Sequence, residues 1–273
     1  MSFQELFQVP ALAVYACVLA VVMGAVFGSF LNCMAWRMVH GESVLSGRSH
    51  CTACGHVLGA ADLVPVFSYL LLKGRCRYCG EKVSPRYMVT ELVSAGLWLL
   101  CLTQLGLTPQ LIRGLLLTCI LFVLSLVDLE SYRIPNVLIL ALLVVYAATF
   151  PFIEMDLLRT GGASQPELGA VLLTHIGGAV LLGGGLLLIS LIFDRITGKE
   201  GLGGGDIKLF FAAGLYLGPL CGLLCVIISC IIGLVFVAVR KNQKIPFGPS
   251  ISVGILLCLY WGEPLVNWYL SLL

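Results

Sequence analysis

The chain consists mostly of long apolar stretches, and these limit its fold more than any other feature of the sequence. Stretches of roughly 17 to 26 residues match the length of a helix that crosses a lipid bilayer. Only 11% of the 273 residues are charged, whereas a soluble domain has roughly 25%. The sequence therefore predicts an all-α polytopic membrane protein. We place its spans near residues 9–35, 88–105, 110–127, 137–153, 168–193, 206–218, 220–239 and 250–270.

The number of spans is ambiguous between residues 207 and 239, a stretch longer than one span requires. Gly218-Pro219 offers a break in its middle. Dividing the stretch there gives about eight helices. The basic residues of the loops then lie on one side of the membrane, and only Arg113 and Arg159 lie on the opposite side. The positive-inside rule makes the basic side cytoplasmic and places both termini outside. The first apolar run lacks a basic leading segment and is too long for a signal peptide, so we expect it to remain as a helix.

One sizeable polar segment, residues 36–87, divides the first helix (1–35) from a membrane core (88–273). It contains two Cys-x-x-Cys pairs, formed by Cys51 and Cys54 and by Cys76 and Cys79, and a glycine follows each pair. This spacing is typical of a structural four-thiolate zinc site. Metal binding would supply folding free energy that so short a loop lacks. We therefore expect a small zinc-stabilised cytoplasmic loop domain.

Two alternatives remain for this loop. His50 and His56 flank the first cysteine pair and could bind the metal in place of a thiolate. The cysteines could also act as redox dithiols, although a reducing cytoplasm argues against structural disulfides. The net charge of the whole chain is +2, which is too small to indicate nucleic-acid binding.

Two aspartates lie where apolar runs end, a position at which a carboxylate is costly and therefore a candidate for function. Asp128 ends one run, and Asp206 follows a glycine cluster that includes Gly203 and Gly205. Asp206 could simply cap a helix, and Asp128 could be a solvated residue paired with Arg133. With eight spans, however, both lie at the cytoplasmic boundary. Two carboxylates in one site provide an acid and a base that can activate water.

These motifs, taken in order, resemble those of the type IV prepilin peptidases, which are leader peptidases and N-methyltransferases of bacterial pilus and type II secretion systems. The resemblance covers nearly the whole chain, and the order of the motifs is more specific than any one of them. Asn136 stands where many members have aspartate. The matching segments are Phe-Gly-Ser-Phe-Leu-Asn-Cys at 27–33, Arg37, the paired cysteines, Ser-Pro-Arg-Tyr at 84–87, Glu91, Asp128 with Ile134-Pro135, Gly-Gly-Gly-Asp at 203–206, Lys208, and Ile-Pro-Phe-Gly-Pro at 245–249.

The resemblance implies an intramembrane aspartyl protease of the bacterial cytoplasmic membrane. Asp128 and Asp206 would be its catalytic pair, and Gly203 and Gly205 would support the active-site loop. Its substrates would be prepilins or pseudopilins, whose basic leader stays in the cytoplasm while their hydrophobic helix lies in the bilayer. It also implies N-methylation of the new N-terminus with S-adenosylmethionine. The cofactor-site candidates are Asn32, Arg37, Arg86 and Glu91, which could instead anchor helix ends at the membrane interface.

Two other classes of protein compete with this interpretation. A proton-coupled transporter would also use membrane carboxylates, but transporters usually have internal repeats and polar residues at the membrane midplane. A membrane redox or assembly protein built on the cysteine loop would need neither aspartate. Lys208 follows Asp206 closely and either interacts with that carboxylate or extends to the membrane interface. We interpret Gly28 and Ser29 as close helix-packing positions.

Overall fold

A computed structural model of the chain describes residues 5, 8–44, 47–160, 168–199, 201–239 and 246–272, with the backbone alone for residues 154–160. Within these ranges the protein is helical and contains no strand beyond two isolated bridges in the cysteine loop. A 3-10 turn covers Ala60–Asp62, and a π-helical turn covers Val180–Gly184. The α-helices are α1 (Pro10–His40), α2 (Phe67–Leu71), α3 (Arg86–Leu105), α4 (Pro109–Ser131), α5 (Asn136–Thr160), α6 (Leu168–Ala179), α7 (Gly185–Thr197), α8 (Gly204–Val239) and α9 (Gly248–Leu270).

Seven helical runs in the described part of the chain are long and apolar enough to cross a membrane. They are α1, α3, α4, α5, the continuous run of α6 and α7, α8, and α9. This confirms the prediction of an all-α polytopic membrane protein. The sequence divided α8 into two spans, and the structure has a break at that point, because Gly218 adopts φ 68° and ψ −175° inside the helix. The 36 residues of α8 correspond to about 54 Å, well beyond the roughly 30 Å of a bilayer core.

The cysteine loop is shorter than the sequence indicated. Helix α1 extends to His40, and Gly41 ends it in the left-handed conformation with φ 70°. Glycine adopts this conformation without the steric cost that a Cβ atom brings, which is why it commonly terminates helices. Since α3 begins at Arg86, the polar segment between the two helices covers residues 41–85.

The chain forms two compact units, Met1–Leu126 and Val127–Leu273. In the first unit, α1 packs against α3 at two glycines. A Cβ atom at Gly24 would lie 2.8 Å from Ala95 Cα, and one at Gly28 would lie 2.7 Å from Ser94 Cβ. Only glycine allows so close an approach of the two backbones, which agrees with the packing role that the sequence suggested for Gly28.

In the second unit, α8 packs against both α6 and α9. Gly178 of α6 lies against the break in α8, because a Cβ atom at Gly178 would be 2.6 Å from the carbonyl carbon of Gly218. A Cβ atom at Gly214 would likewise be 2.6 Å from Ala179 Cα. In α7, Ser190 is the one buried residue, and the exposed positions are mostly large apolar side chains. Such a surface suits contact with lipid rather than water.

Candidate active site

Asp128 lies near the C-terminal end of α4 and is almost fully buried, with 4% of its surface exposed. Its Oδ2 accepts a hydrogen bond of 2.8 Å from the backbone N–H of Gly248. Gly248 is the first residue of α9, so the carboxylate lies at a helix N-terminus, where free N–H groups and the helix dipole favour negative charge. This contact holds Asp128 in one orientation and leaves its other oxygen available.

The chain reverses direction immediately after Asp128. Tyr132 adopts φ 54°, an uncommon value for a residue with a side chain, and its N–H donates to the Asp128 carbonyl at 2.9 Å. Such a conformation costs on the order of 1–2 kcal/mol, and strained residues are frequent near functional sites. The turn ends at Ile134-Pro135, after which α5 begins. It therefore brings residues 132–134 beside the aspartate.

Asp206 lies in the first turn of α8, and two glycines explain its placement. A Cβ atom at Gly203 would be 2.8 Å from Asp206 Oδ2, so the carboxylate folds back over a position that a side chain would occupy. A Cβ atom at Gly205 would be 3.0 Å from Ile134 Cβ, so this glycine allows the turn after Asp128 to approach α8. Gly204 has no atom within 4 Å of its Cβ position. The glycines at 203 and 205 therefore have separate steric roles, and the one between them has none.

A cavity of about 390 Å³ brings the two aspartates together. It lies wholly within the second unit, and both aspartates are among the residues that line it. Its remaining lining comes from the turn after α4, the glycine segment and the segment before α9. The lining residues are Asp128, Tyr132, Arg133, Ile134, Gly203, Gly204, Gly205, Asp206, Pro246 and Phe247. Two carboxylates at an open polar cavity can hold and activate a water molecule.

Sequence reasoning missed the contribution of the segment before α9. The motif at 245–249 matched the family pattern, yet its sequence offered no chemical role, because the group it supplies to Asp128 is a backbone N–H. Lys208 also has a partner that the sequence did not suggest. Its Nζ donates to Asn136 Oδ1 at 2.9 Å, so α8 and the start of α5 are joined by a hydrogen bond.

The four cysteines of the loop form one compact cluster in the first unit. The Sγ atoms of Cys51, Cys54, Cys76 and Cys79 all lie within 4.8 Å of one another, and those of Cys51 and Cys79 are 3.9 Å apart. Tetrahedral zinc with Zn–S bonds of about 2.3 Å requires sulfurs about 3.8 Å apart. The donor set and its spacing therefore fit a structural zinc ion. Neither His50 nor His56 belongs to the cluster.

Both cysteine pairs have the same backbone geometry. The N–H of Gly55 donates to the Cys51 carbonyl, and the N–H of Gly80 donates to the Cys76 carbonyl. Both glycines have positive φ, 70° and 74°, with no atom near their Cβ positions. They are therefore required for their backbone conformation rather than for space.

The thiols influence one another's ionisation. N–H groups of Cys54 and Ala53 donate to Cys51 and lower the pKa of that thiol to about 7. An N–H of Glu81 acts in the same direction at Cys79, but burial and the hydrogen bonds that the Cys79 S–H donates to the neighbouring sulfurs raise the pKa of Cys79 to about 12. The four thiols therefore resist full ionisation, because neighbouring thiolates repel one another. A divalent cation at the centre of the cluster would offset this repulsion.

Asp62 fastens the second cysteine pair to the rest of the loop, a role without a sequence signature. Its carboxylate accepts hydrogen bonds from Arg77 Nε at 2.7 Å, from Tyr78 Oη at 3.1 Å and from the Gly59 N–H at 3.1 Å. The Gly59 N–H, with Tyr78 and Arg77, holds the pKa of Asp62 below its usual value. The ring of His56 packs on that of Tyr78, with centroids 3.6 Å apart, and so links the two cysteine pairs.

The four cofactor-site candidates all belong to the first unit but have different environments. Arg37 Nη1 donates to the Ser43 carbonyl at 3.4 Å, and the Arg86 N–H donates to Ser84 Oγ at 3.3 Å. Glu91 is buried and accepts a hydrogen bond of 2.7 Å from the Val66 N–H. Asn32 is buried, and its Oδ1 has no hydrogen-bond partner among the described residues.

Comparison with known proteins gives matches along most of the chain. The model of the bacterial peptidase A24 N-terminal domain matches residues 22–105, and that of the type IV leader peptidase family matches residues 115–238. A prepilin leader peptidase/N-methyltransferase of Aeromonas salmonicida is 35% identical over 237 residues, or 82% of this chain and 75% of the relative. Proteins of the same name from Neisseria gonorrhoeae and Bacillus subtilis are 30% and 28% identical, over 95% and 92% of this chain and 96% of each relative. No solved structure matches.

Proposed function

Because this chain belongs to the type IV leader peptidase family, we propose that it removes the leader from prepilins or pseudopilins and then N-methylates the new N-terminus. The observation that supports this most directly is the placement of Asp128 and Asp206 on one cavity. The relatives that cover most of the chain combine both activities in their names.

The proposed peptidase chemistry uses the two carboxylates as a pair. One of them, ionised, takes a proton from a bound water, whose oxygen attacks the carbonyl carbon of the scissile peptide bond. The other, protonated, donates to the carbonyl oxygen and so stabilises the tetrahedral intermediate. Proton transfer to the leaving nitrogen then completes the cleavage. The N–H of Gly248 keeps Asp128 in place during these steps, since it is a fixed backbone group.

The methylation is the second part of the proposal. S-adenosylmethionine would supply a methyl group to the free α-amino group that cleavage creates, and would leave as S-adenosylhomocysteine while the nitrogen loses a proton. The buried, unpartnered Oδ1 of Asn32 and the buried Glu91 carboxylate fit a polar ligand, and both belong to the region that matches the N-terminal family model. The zinc would be structural, because four thiolates complete its coordination and leave no open position.

The proposed location is the bacterial cytoplasmic membrane, with the cysteine loop and both aspartates on the cytoplasmic side. The supports are the membrane-spanning helices and the distribution of basic residues. A substrate that keeps its basic leader in the cytoplasm would then present the scissile bond at the boundary where both aspartates lie. The transporter and redox alternatives gain no support from the relatives, whose names describe peptidases and methyltransferases.

Mass spectrometry of a matched prepilin tests both activities at once. The detergent-purified protein is incubated with the prepilin and S-adenosylmethionine, beside an Asp206→Asn variant. We expect loss of the leader together with the added mass of one methyl group on the new N-terminus, and neither change with the variant. Cleavage without added mass would reduce the function to that of a peptidase. An unprocessed substrate would contradict the proposal.

A further inference from the structure

The contact between α1 and α3 has a regular register that defines what lies opposite Asn32. A Cβ atom at Gly24 would touch Ala95 and Trp98, and one at Gly28, a turn further on, would touch Glu91 and Ser94. Each turn forward on α1 therefore corresponds to one turn backward on α3, and the two helices are antiparallel. The next turn of α1 therefore brings Asn32 opposite the α3 turn around Tyr87 and Thr90, one turn from Glu91. Side chains lean toward the N-terminus of their own helix, so those of Asn32 and Glu91 lean toward each other across the contact.

Asn32, on one of these neighbouring turns, is a buried polar group with unused hydrogen-bonding capacity. It is 3% exposed, and its Oδ1 accepts no hydrogen bond within the described part of the chain. Leaving a buried acceptor unsatisfied costs about 1–3 kcal/mol. A buried group without a partner calls for an explanation, and a bound ligand, ion or water supplies one.

Glu91 is the second group, with 8% of its surface exposed. Its Oε2 accepts the N–H of Val66, and no cation pairs with its carboxylate among the described residues. Val66, the residue that donates this N–H, has φ 62°, which is an outlier for a β-branched residue. The loop is thus strained in a way that holds the carboxylate in place, while its charge remains uncompensated.

We propose that Glu91 and Asn32 form a binding site for an α-ammonium group, the –NH₃⁺ of a free amino acid or of a chain N-terminus. Such a group is cationic and has three N–H donors, whereas the site offers a carboxylate and an amide oxygen, which are both acceptors. A metal ion fits less well, because Ca²⁺ or Mg²⁺ needs about six oxygen ligands. Arg37 and Arg86 cannot accept hydrogen bonds from such a group, so they are not part of this pair.

The inference rests on the proposed function, which supplies two molecules with this group. One is the amino-acid end of the methyl donor, and the other is the N-terminus that leader cleavage exposes. Both share the α-ammonium chemistry, and binding measurements with the full, zinc-loaded chain distinguish them. The first probe is S-adenosylhomocysteine, with 5′-methylthioadenosine as the matched control that lacks the amino-acid group. The second is a peptide with a free N-terminal phenylalanine, with its N-acetylated form as the control.

The informative variant is Glu91→Gln, because glutamine keeps an oxygen for the Val66 N–H while removing the charge. We expect its affinity for one amino probe to fall about tenfold or more, with Asn32→Ala acting on the same probe. Binding of 5′-methylthioadenosine should stay unchanged, and Glu263→Gln, an exposed carboxylate of α9, should bind every probe as the parent protein does. The amino probe that loses affinity identifies which of the two molecules supplies the α-ammonium group.

Parent-like binding of both amino probes by Glu91→Gln and Asn32→Ala would overturn the site. So would a parent protein that cleaves a prepilin but binds neither amino probe, or equal binding of a probe and its control. A protein that binds an amino probe through Glu91 but never cleaves a prepilin would instead reject the proposed peptidase function and leave the site standing.

Discussion

Gly248 and Asp128 are 120 positions apart in the chain, yet the N–H of the first lies 2.8 Å from the carboxylate of the second. The contact joins the end of one helix to the beginning of another. It places an acidic side chain where the unpaired N–H groups of α9 begin. The active-site geometry therefore depends on how α9 packs within the second unit, and not only on the two aspartates.

Removing either carboxylate should stop cleavage without unfolding the protein. Asp128→Asn and Asp206→Asn keep the size of the side chain but remove its acid–base function, so we expect cleavage to slow by roughly 10²- to 10⁴-fold. Rates are measured on a prepilin, with gel filtration as the check on folding. Glu130→Gln, a carboxylate two positions after Asp128 that does not line the cavity, is the control. Full activity of either aspartate variant would refute the two-carboxylate mechanism.

The three glycines before Asp206 should differ in their tolerance of a methyl group. Gly203→Ala would displace the Asp206 carboxylate, and Gly205→Ala would push against Ile134. A displacement of about 1 Å in a catalytic group can cost about 10²-fold in rate, so we expect losses of that order in kcat. Gly204→Ala has open space and should remain within about threefold of the parent. Equal rates for all three variants would show that these contacts do not position Asp206.

The cysteine cluster should bind about one zinc per chain, a content that elemental analysis measures. Cys76→Ser removes one of four ligands, and we expect loss of the metal together with a lower melting temperature of the protein. Cys230→Ser alters an exposed cysteine in the membrane part of the second unit and should leave the zinc content unchanged. A folded, active preparation without metal would contradict the structural role of zinc.

Asp62 should influence how firmly the metal is held, although it is not a ligand. Asp62→Asn weakens the contacts to Arg77 and Tyr78, which lie between Cys76 and Cys79. Residues that support metal ligands typically contribute 10- to 100-fold to affinity, so we expect about tenfold faster zinc loss to a chelator. The folded-state pKa of Asp62 is depressed. The stability that the ionised Asp62 carboxylate contributes is therefore present above the unfolded-state pKa of about 3.9, and it is lost as pH falls through the lower folded-state pKa.

That pH window makes neutral pH the right condition for the Asp62 experiment, since the carboxylate is then ionised in both states. The matched control is Glu42→Gln, an exposed carboxylate of the same loop. Identical rates of zinc loss from the parent and Asp62→Asn proteins would show that these hydrogen bonds do not stabilise the cluster.

Of two adjacent glycines in α6, only Gly178 should be sensitive to substitution by alanine, because only Gly178 packs closely on α8. Gly178→Ala would place a methyl group against the backbone of Gly214 and Gly218, whereas Gly177→Ala has open space. Overpacking of this kind costs typically 1–3 kcal/mol, so we expect a lower melting temperature in detergent for the first variant alone. Equal melting temperatures would mean that the two helices are not in close contact at this point.

Local chemistry makes part of this protein predictable from its sequence. Long apolar runs must become helices in a bilayer, because no other open structure satisfies the backbone hydrogen bonds there. The break at Gly218-Pro219 followed from the two residues least suited to a helix. The Cys-x-x-Cys-Gly repeats predicted their cluster for a similar reason, since both the pairing and the turn are encoded within a few residues.

Tertiary structure alone decided which groups meet across long separations. Three contacts join segments that no sequence period relates. They are the hydrogen bond from the Gly248 N–H to Asp128, the contact of Gly205 with Ile134, and the hydrogen bond from the Val66 N–H to Glu91. Backbone donors have the same chemistry at every residue, so only packing selects one of them. Likewise, the sequence identified Asn32 as polar, but only the fold shows that it is buried without a partner, because burial depends on what the neighbouring helix places beside it.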